Sequence, residues 1–134
     1  MRFVLLEHTP GDAAPAAESD WGAGRHFDLM LEVDTDGPLA TWRLDCNPFV
    51  EPRGRAAAIA DHRRAYLTYE GPLTGGRGSV RRMEAGEAEV VERAGSGLRA
   101  ILCGNGGSIR IEIAGDAFES GDLLENGAGA SGGG

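Results

Sequence analysis

From residue 78 onward the chain repeats one pattern, a short run of β-forming residues followed by a link that contains glycine. The runs are Gly78–Met83, Glu87–Arg93, Leu98–Cys103 and Ser108–Ile113, and the links are Ala85–Gly86, Gly95–Gly97 and Gly104–Gly107. Runs this short do not make helices that bury a face, and links this tight join antiparallel neighbours. The first half of the chain fits the same plan. Arg2–Glu7 is a short apolar strand, and His26–Val33 is a second, with β-formers in partial alternation. Asp34-Thr-Asp-Gly37 is a turn cluster leading into a third strand, Pro38–Leu44, so these two strands form a hairpin. Arg55–Ala60 reads as a strand or a helical turn, and Ala65–Tyr69 as a short strand. No stretch of 12 residues carries a strong helical period. The expected fold class is therefore mainly β, an antiparallel β-barrel or sandwich with little helix.

A single unit of this kind accounts for residues 1–114 of the 134-residue chain. Thr9–Gly24, which holds Pro, Gly, Ala and Asp, reads as an irregular loop. Residues 115–134 read as an acidic, then Gly-rich flexible tail. The two cysteines, Cys46 and Cys103, are too few for a disulfide scaffold and are expected to be reduced thiols. No apolar stretch is long enough for a membrane helix, and the start, MRFVLLEH, lacks the regions of a signal peptide. The expected location is the cytoplasm, with no membrane partner.

The formal net charge of -8 argues at first against a nucleic-acid partner, but the charge is unevenly spread. Residues 1–52 hold three Arg against ten acids, whereas residues 53–82 hold seven Arg against Asp61 and Glu70. A local positive band in acidic surroundings is compatible with phosphate contact. It is equally compatible with a solvated surface. All 13 basic residues are Arg, the side chain that grips phosphate in a fork.

The chain has only three histidines. His26 and Asp28 lie two apart on a predicted strand, so their side chains share a face with Met30 and Glu32. His8 ends the preceding strand, and His62 lies in Asp61-His62-Arg63-Arg64 after the Ala-rich run. Three imidazoles and a carboxylate make an N/O donor set suited to Mn, Zn or Fe. Spacing alone leaves this reading beside the plainer one of surface and capping histidines. Glu32 is either a partner behind the ligands or a surface carboxylate. Trp21 and Trp42 read as packing or loop-anchoring aromatics, and Gly71, Gly75, Gly76 and Gly78 as turn glycines.

Several segments, in order, resemble one known family. His26-Phe-Asp-Leu-Met-Leu-Glu32 resembles the strand with a His-aromatic-Asp motif in the 3'-phosphoesterase domain of DNA ligase D. Phe3-Val-Leu-Leu-Glu-His8 resembles that family's opening strand, and Leu39-Ala-Thr-Trp42 its next strand, which ends in Ser-Trp or Thr-Trp. Ile59-Ala-Asp-His-Arg-Arg-Ala-Tyr66 resembles its Asp-His-x-x-x-Tyr motif. Tyr69-Glu-Gly71 and the turn Gly75–Val80 resemble the stretch that follows. The likeness spans about residues 3–92 and takes in every histidine.

The resemblance implies a β-barrel-like fold, a Mn2+-dependent site (Zn2+ or another divalent metal being a possible substitute) and removal of a 3'-phosphate or 3'-ribonucleoside from nucleic-acid ends. It implies His8, His26 and Asp28 as metal ligands. His62 and Tyr66 would contact the scissile phosphate, with His62 as a general acid or base. Arg53 or Arg55 would be the phosphate clamp, Arg55 being the one assigned. It also implies end-joining repair, with a ligase or end-joining protein as a partner.

The sequence departs from the family in several places. Met30 stands where the family commonly has Arg, and Arg25 precedes His26 on the opposite strand face. The loop between His8 and His26 is longer, and Leu44-Asp-Cys-Asn-Pro48 replaces a Lys-Gly-Pro stretch. The sequence opens on the first strand, where the family carries an Arg-, Asp- and Glu-rich arm, and the expectation is a stand-alone, N-terminally short relative with no polymerase or ligase domain. A second reading stays open beside the enzyme: a non-catalytic module that binds metal and phosphate.

Overall fold

The computed structural model describes residues 1–11 and 25–122. The strands are β1 (Arg2–Thr9), β2 (His26–Leu31), β3 (Leu39–Leu44), β4 (Arg53–His62), β5 (Gly71–Pro72), β6 (Ser79–Ala94), β7 (Gly97–Gly104), β8 (Gly107–Ala114) and β9 (Ala117–Asp122). They form one antiparallel sheet in the order β1-β2-β3-β4-β9-β8-β7-β6-β5, and an added pairing of β1 with β6 closes it into a barrel-like ring. Only two short 3-10 turns, Arg64–Leu67 and Thr74–Gly76, interrupt the strands among the described residues. The mainly β expectation holds. No helix among the described residues is long and apolar enough to cross a membrane.

The ring has two apolar clusters, one on each side of its wall. Alternate residues of β1–β3 and β7–β9 fill the interior: Phe3 and Leu5, Phe27 and Leu29, Trp42 and Leu44, Leu98 and Leu102, Ile109 and Ile111, and Phe118. Trp42 both packs and anchors, since its indole N–H donates to the Ser96 carbonyl at 2.9 Å. The second cluster lies outside the wall of β1–β3. There Val4, Leu6, Met30 and Leu39 are covered by Leu67 and Val80, with Tyr66 and Leu73 packed against them. Residues 63–80 thus leave the barrel, fold back over its outer face and re-enter it as β6.

Three boundaries differ from the sequence reading, and one open alternative is decided. Ala65–Tyr69 is not a strand: it has no strand neighbour, and Arg64–Leu67 forms a 3-10 turn closed by Tyr66 N–H to the Arg63 carbonyl. That turn buries Leu67 against the outer cluster and sends Arg64 to Glu32. Ala85–Gly86 is not a link, because β6 runs through it and pairs Gly86 with Phe3. The strand bends at an irregularity opposite Leu5 and Leu6, and a side chain at Gly86 would strike the Cys103 carbonyl. Arg55–Ala60 belongs to a strand, β4. The domain does not end at residue 114, because β9 pairs with both β8 and β4 and closes the ring, burying Phe118 inside it. The expected loop between β1 and β2 lies largely outside the described residues, as do Trp21 and the Gly-rich end of the chain.

Candidate metal centre

Two neighbouring strands place the site. His8 and His26 are register partners on β1 and β2, and both point outward with Asp28, on the side opposite Phe27 and Leu29. His8 Nδ1 lies 2.9 Å from His26 Nε2, and His26 Nε2 lies 3.7 Å from an Asp28 carboxylate oxygen. One donor atom from each of the three residues falls within 4.8 Å of the other two. Ligands about 2.0–2.2 Å from a shared ion lie up to about 4.4 Å apart, so this group can hold a metal ion with little movement.

The hydrogen bonds around the group suit that use. His8 Nε2 sits 2.9 Å from the Arg77 carbonyl. A carbonyl only accepts, so His8 carries its proton on Nε2 and turns the Nδ1 lone pair toward His26 and Asp28. The Gly75–Val80 turn makes this contact feasible. Gly78 has φ 98°, and a side chain there would strike the Thr9 carbonyl, so glycine lets the turn approach the end of β1. Burial, followed by the charge of His26, pushes the His8 pKa below 6.5 against the opposing pull of the Arg77 carbonyl. Burial alone would raise Asp28, but the His26 hydrogen bond and the charges of His26, Arg43 and His62 outweigh it and hold the carboxyl below its ordinary value. The group therefore presents an anionic oxygen and an unprotonated imidazole nitrogen at neutral pH, which is the state a metal needs.

His62 faces the same space. A cavity of about 600 Å3 is lined by His8, Asp28, His62, Tyr66 and Arg43, among others. His26 stands behind it, against His8 and Asp28. The His62 Nδ1–H donates to the Ala60 carbonyl at 3.0 Å, which leaves Nε2 as the nitrogen able to exchange a proton. The rings of His62 and Tyr66 meet edge to face with centroids 5.6 Å apart. Residues far apart in sequence thus reach one cavity because β4 ends at His62 just where the chain begins its excursion over the outer face.

Other expected participants lie elsewhere. Arg55 pairs in register with Ala117 near the start of β4, away from the cavity that receives His62 at the other end of that strand. The neighbouring candidate, Arg53, pairs with Glu119 at the same end. The Arg band is divided: Arg64 binds Glu32, Arg81 binds Glu7 at 3.1 Å and Arg82 reaches Glu70, while Arg63 and Arg77 line the cavity. Among the described residues Glu32 holds Arg2 and Arg64 rather than a metal ligand. Arg25 bonds the buried Glu7 at 3.2 Å. Burial and then Asp45 push the Cys46 thiol up to about 12, and its Sγ–H donates to the Arg53 carbonyl at 3.3 Å.

Sequence reasoning passed over Arg43. It is the cross-strand partner of Asp28 and donates from Nε to Oδ1 at 3.3 Å. The signal was available, because a turn centred within Asp34–Gly37 sets residue 43 opposite residue 28. No family model matches this sequence, and no curated protein matches it.

Proposed function

We propose that this chain is a metal-dependent phosphoesterase that acts on nucleic-acid 3' ends, removing a 3'-phosphate or a 3'-ribonucleoside. The observation that carries the reading is the convergence of His8, Asp28, His62 and Tyr66 on one cavity, with His26 bridging the first two. The ordered likeness to the 3'-phosphoesterase domain of DNA ligase D supports it, because five of the six site residues that the likeness singled out, all but Arg55, meet at or against that cavity.

In this reading His8 Nδ1, His26 Nε2 and Asp28 hold a divalent ion, with Mn2+ preferred and Zn2+ as the substitute. Such an ion supplies Lewis acidity toward a phosphoryl oxygen and a more acidic bound water. The chain's own residues do the rest. The Arg77 carbonyl and the barrel wall hold the imidazoles in place. His62, its Nδ1–H held by the Ala60 carbonyl, would in its doubly protonated form pass the Nε2 proton to the leaving sugar oxygen. Tyr66 orients the phosphate, and the cover of residues 63–80 limits water. End-joining repair, a ligase or end-joining protein as partner, and a cytoplasmic location belong to the same proposal.

Two observations favour a second reading, binding without turnover. Arg55 lies away from the cavity, and Met30 is buried in the outer apolar cluster where the family commonly has Arg. DNA primers ending in 3'-phosphate or a 3'-ribonucleotide, incubated with Mn2+ or with EDTA, decide between the two. The enzyme reading expects Mn2+-dependent release of phosphate or ribonucleoside that EDTA stops. Metal binding with no processed end in Mn2+, Zn2+ or Mg2+ selects the binding module.

A further inference from the structure

Arg43 is built into the candidate site in a way the site as described does not use. Its side chain is 19% exposed, and among the described residues Asp28 is its one hydrogen-bonding partner, through Nε alone. A guanidinium carries five N–H donors in a rigid fork. Those on its two terminal nitrogens are left for the cavity that Arg43 lines. Those nitrogens reach water, since no buried side-chain nitrogen among the described residues lacks a partner, so they are open to an anion that enters the cavity. The cavity wall adds Arg63 and Arg77 to Arg43, against Asp28 and Asp61. The charge balance therefore favours an anion before any metal is counted, and more so once a divalent ion sits on Asp28.

We propose that Arg43 is the anion-gripping residue of this site, anchored on Asp28 through Nε and presenting its terminal N–H groups to a tetrahedral oxyanion bound beside the metal ligands. That the oxyanion is the phosphoryl group of a substrate rests on the phosphoesterase reading; the grip itself rests on the cavity. The geometry suits the role. Asp28 and Arg43 are fixed side by side by strand register, so an anion held by the fork is brought next to whatever the Asp28 carboxylate binds. Arg43 would touch the substrate and fix its orientation, while the proton transfer stays with His62.

A competing role for Arg43, as a prop that only orients Asp28, predicts the opposite sign in one measurement. Calorimetric titration of the full chain, first with Mn2+ and then with inorganic phosphate, separates the two. For Arg43→Gln, phosphate affinity should fall about 10- to 100-fold, the loss of charge-assisted hydrogen bonds, while Mn2+ binds at least as tightly because a neighbouring cation is gone. Arg43→Lys keeps the charge without the fork and should recover only part of the phosphate affinity. Parallel loss of Mn2+ and phosphate in both variants would assign Arg43 to Asp28 alone and overturn the proposal. So would unchanged phosphate affinity in Arg43→Gln, or a wild type that takes up no phosphate with Mn2+ present. The two readings fail separately: an Arg43-dependent phosphate site that processes no 3' end removes the phosphoesterase and keeps the grip. Processing that is indifferent to Arg43 does the reverse.

Discussion

The outer faces of β7–β8 and of β1–β3 belong to one sheet and are built on different terms. Along β8, Ile109, Ile111 and Ile113 point into the barrel while Arg110 and Glu112 face solvent. Arg99 on β7 pairs with Glu92 at 3.0 Å and Glu112 at 3.1 Å, with side chains that are half exposed or more. Such pairs contribute little to stability. On β2, by contrast, all six residues are buried, so both faces are covered. The inner face is apolar, as a core requires. The outer face carries His26 and Asp28 under a dedicated cover, although burying such groups costs free energy. The difference teaches where to look for function in a closed β-barrel: at the strand whose solvent side has been roofed over without being made apolar.

The comparison breaks first at Asp28. Asp28→Ala and His26→Ala should abolish both metal binding and 3'-end processing, because each removes a donor to the ion. His62→Ala should lower turnover by about 10²–10⁴, the usual worth of a proton-transferring or charge-stabilising group. A single-turnover assay on 3'-phosphate DNA measures both. On the inner face the expected loss is of a different kind. Leu102→Ala should cost about 2–5 kcal/mol of stability in urea melts while leaving Mn2+ affinity unchanged. A matching loss of metal affinity would mean that the wall does not insulate one face from the other.

A finer test uses pH. In metal-free protein the folded His8 pKa is lowered below the ordinary 6.5, so the unfolded chain takes up the proton first. Stability is therefore present above pH 6.5 and is lost as pH falls through the lower folded value. Asp28, also lowered from its ordinary 3.8, adds a further loss of the same sign in stronger acid. Thermal midpoints followed from about pH 7 down to about pH 4, an interval that starts above the ordinary histidine value of about 6.5, should fall, and His8→Gln should flatten the first part of the curve. The smallest effect belongs to Arg55→Ala. Being away from the cavity, Arg55 should change phosphate affinity by less than about twofold, the scale of a surface substitution.

Much of this was legible in the chain. Glycine links marked the β7–β8 meander, and the two-residue spacing of His26 and Asp28 put them on one face. Where the reading failed, tertiary context decided. Ala65–Tyr69 has strand-like composition, but only the Arg64–Glu32 pair and the burial of Leu67 show it as a turn folded over the outer wall. Residues 115–122 look like an acidic tail, yet Phe118 closes the core. Arg43 was hidden because its significance lies in a cross-strand register, which composition does not display. Arg55 was over-read because nearness to His62 in sequence, along an extended strand, means distance in space.

The central claim is a division of labour, with His8, His26 and Asp28 holding the ion and His62 acting on the phosphate. Titration of Mn2+ into wild type, Asp28→Ala and His62→Ala, with free ion followed by electron paramagnetic resonance, tests it most directly. The account predicts one bound ion in wild type, none in Asp28→Ala, and near wild-type binding in His62→Ala. Loss of Mn2+ from His62→Ala as complete as from Asp28→Ala would make His62 a ligand and contradict it.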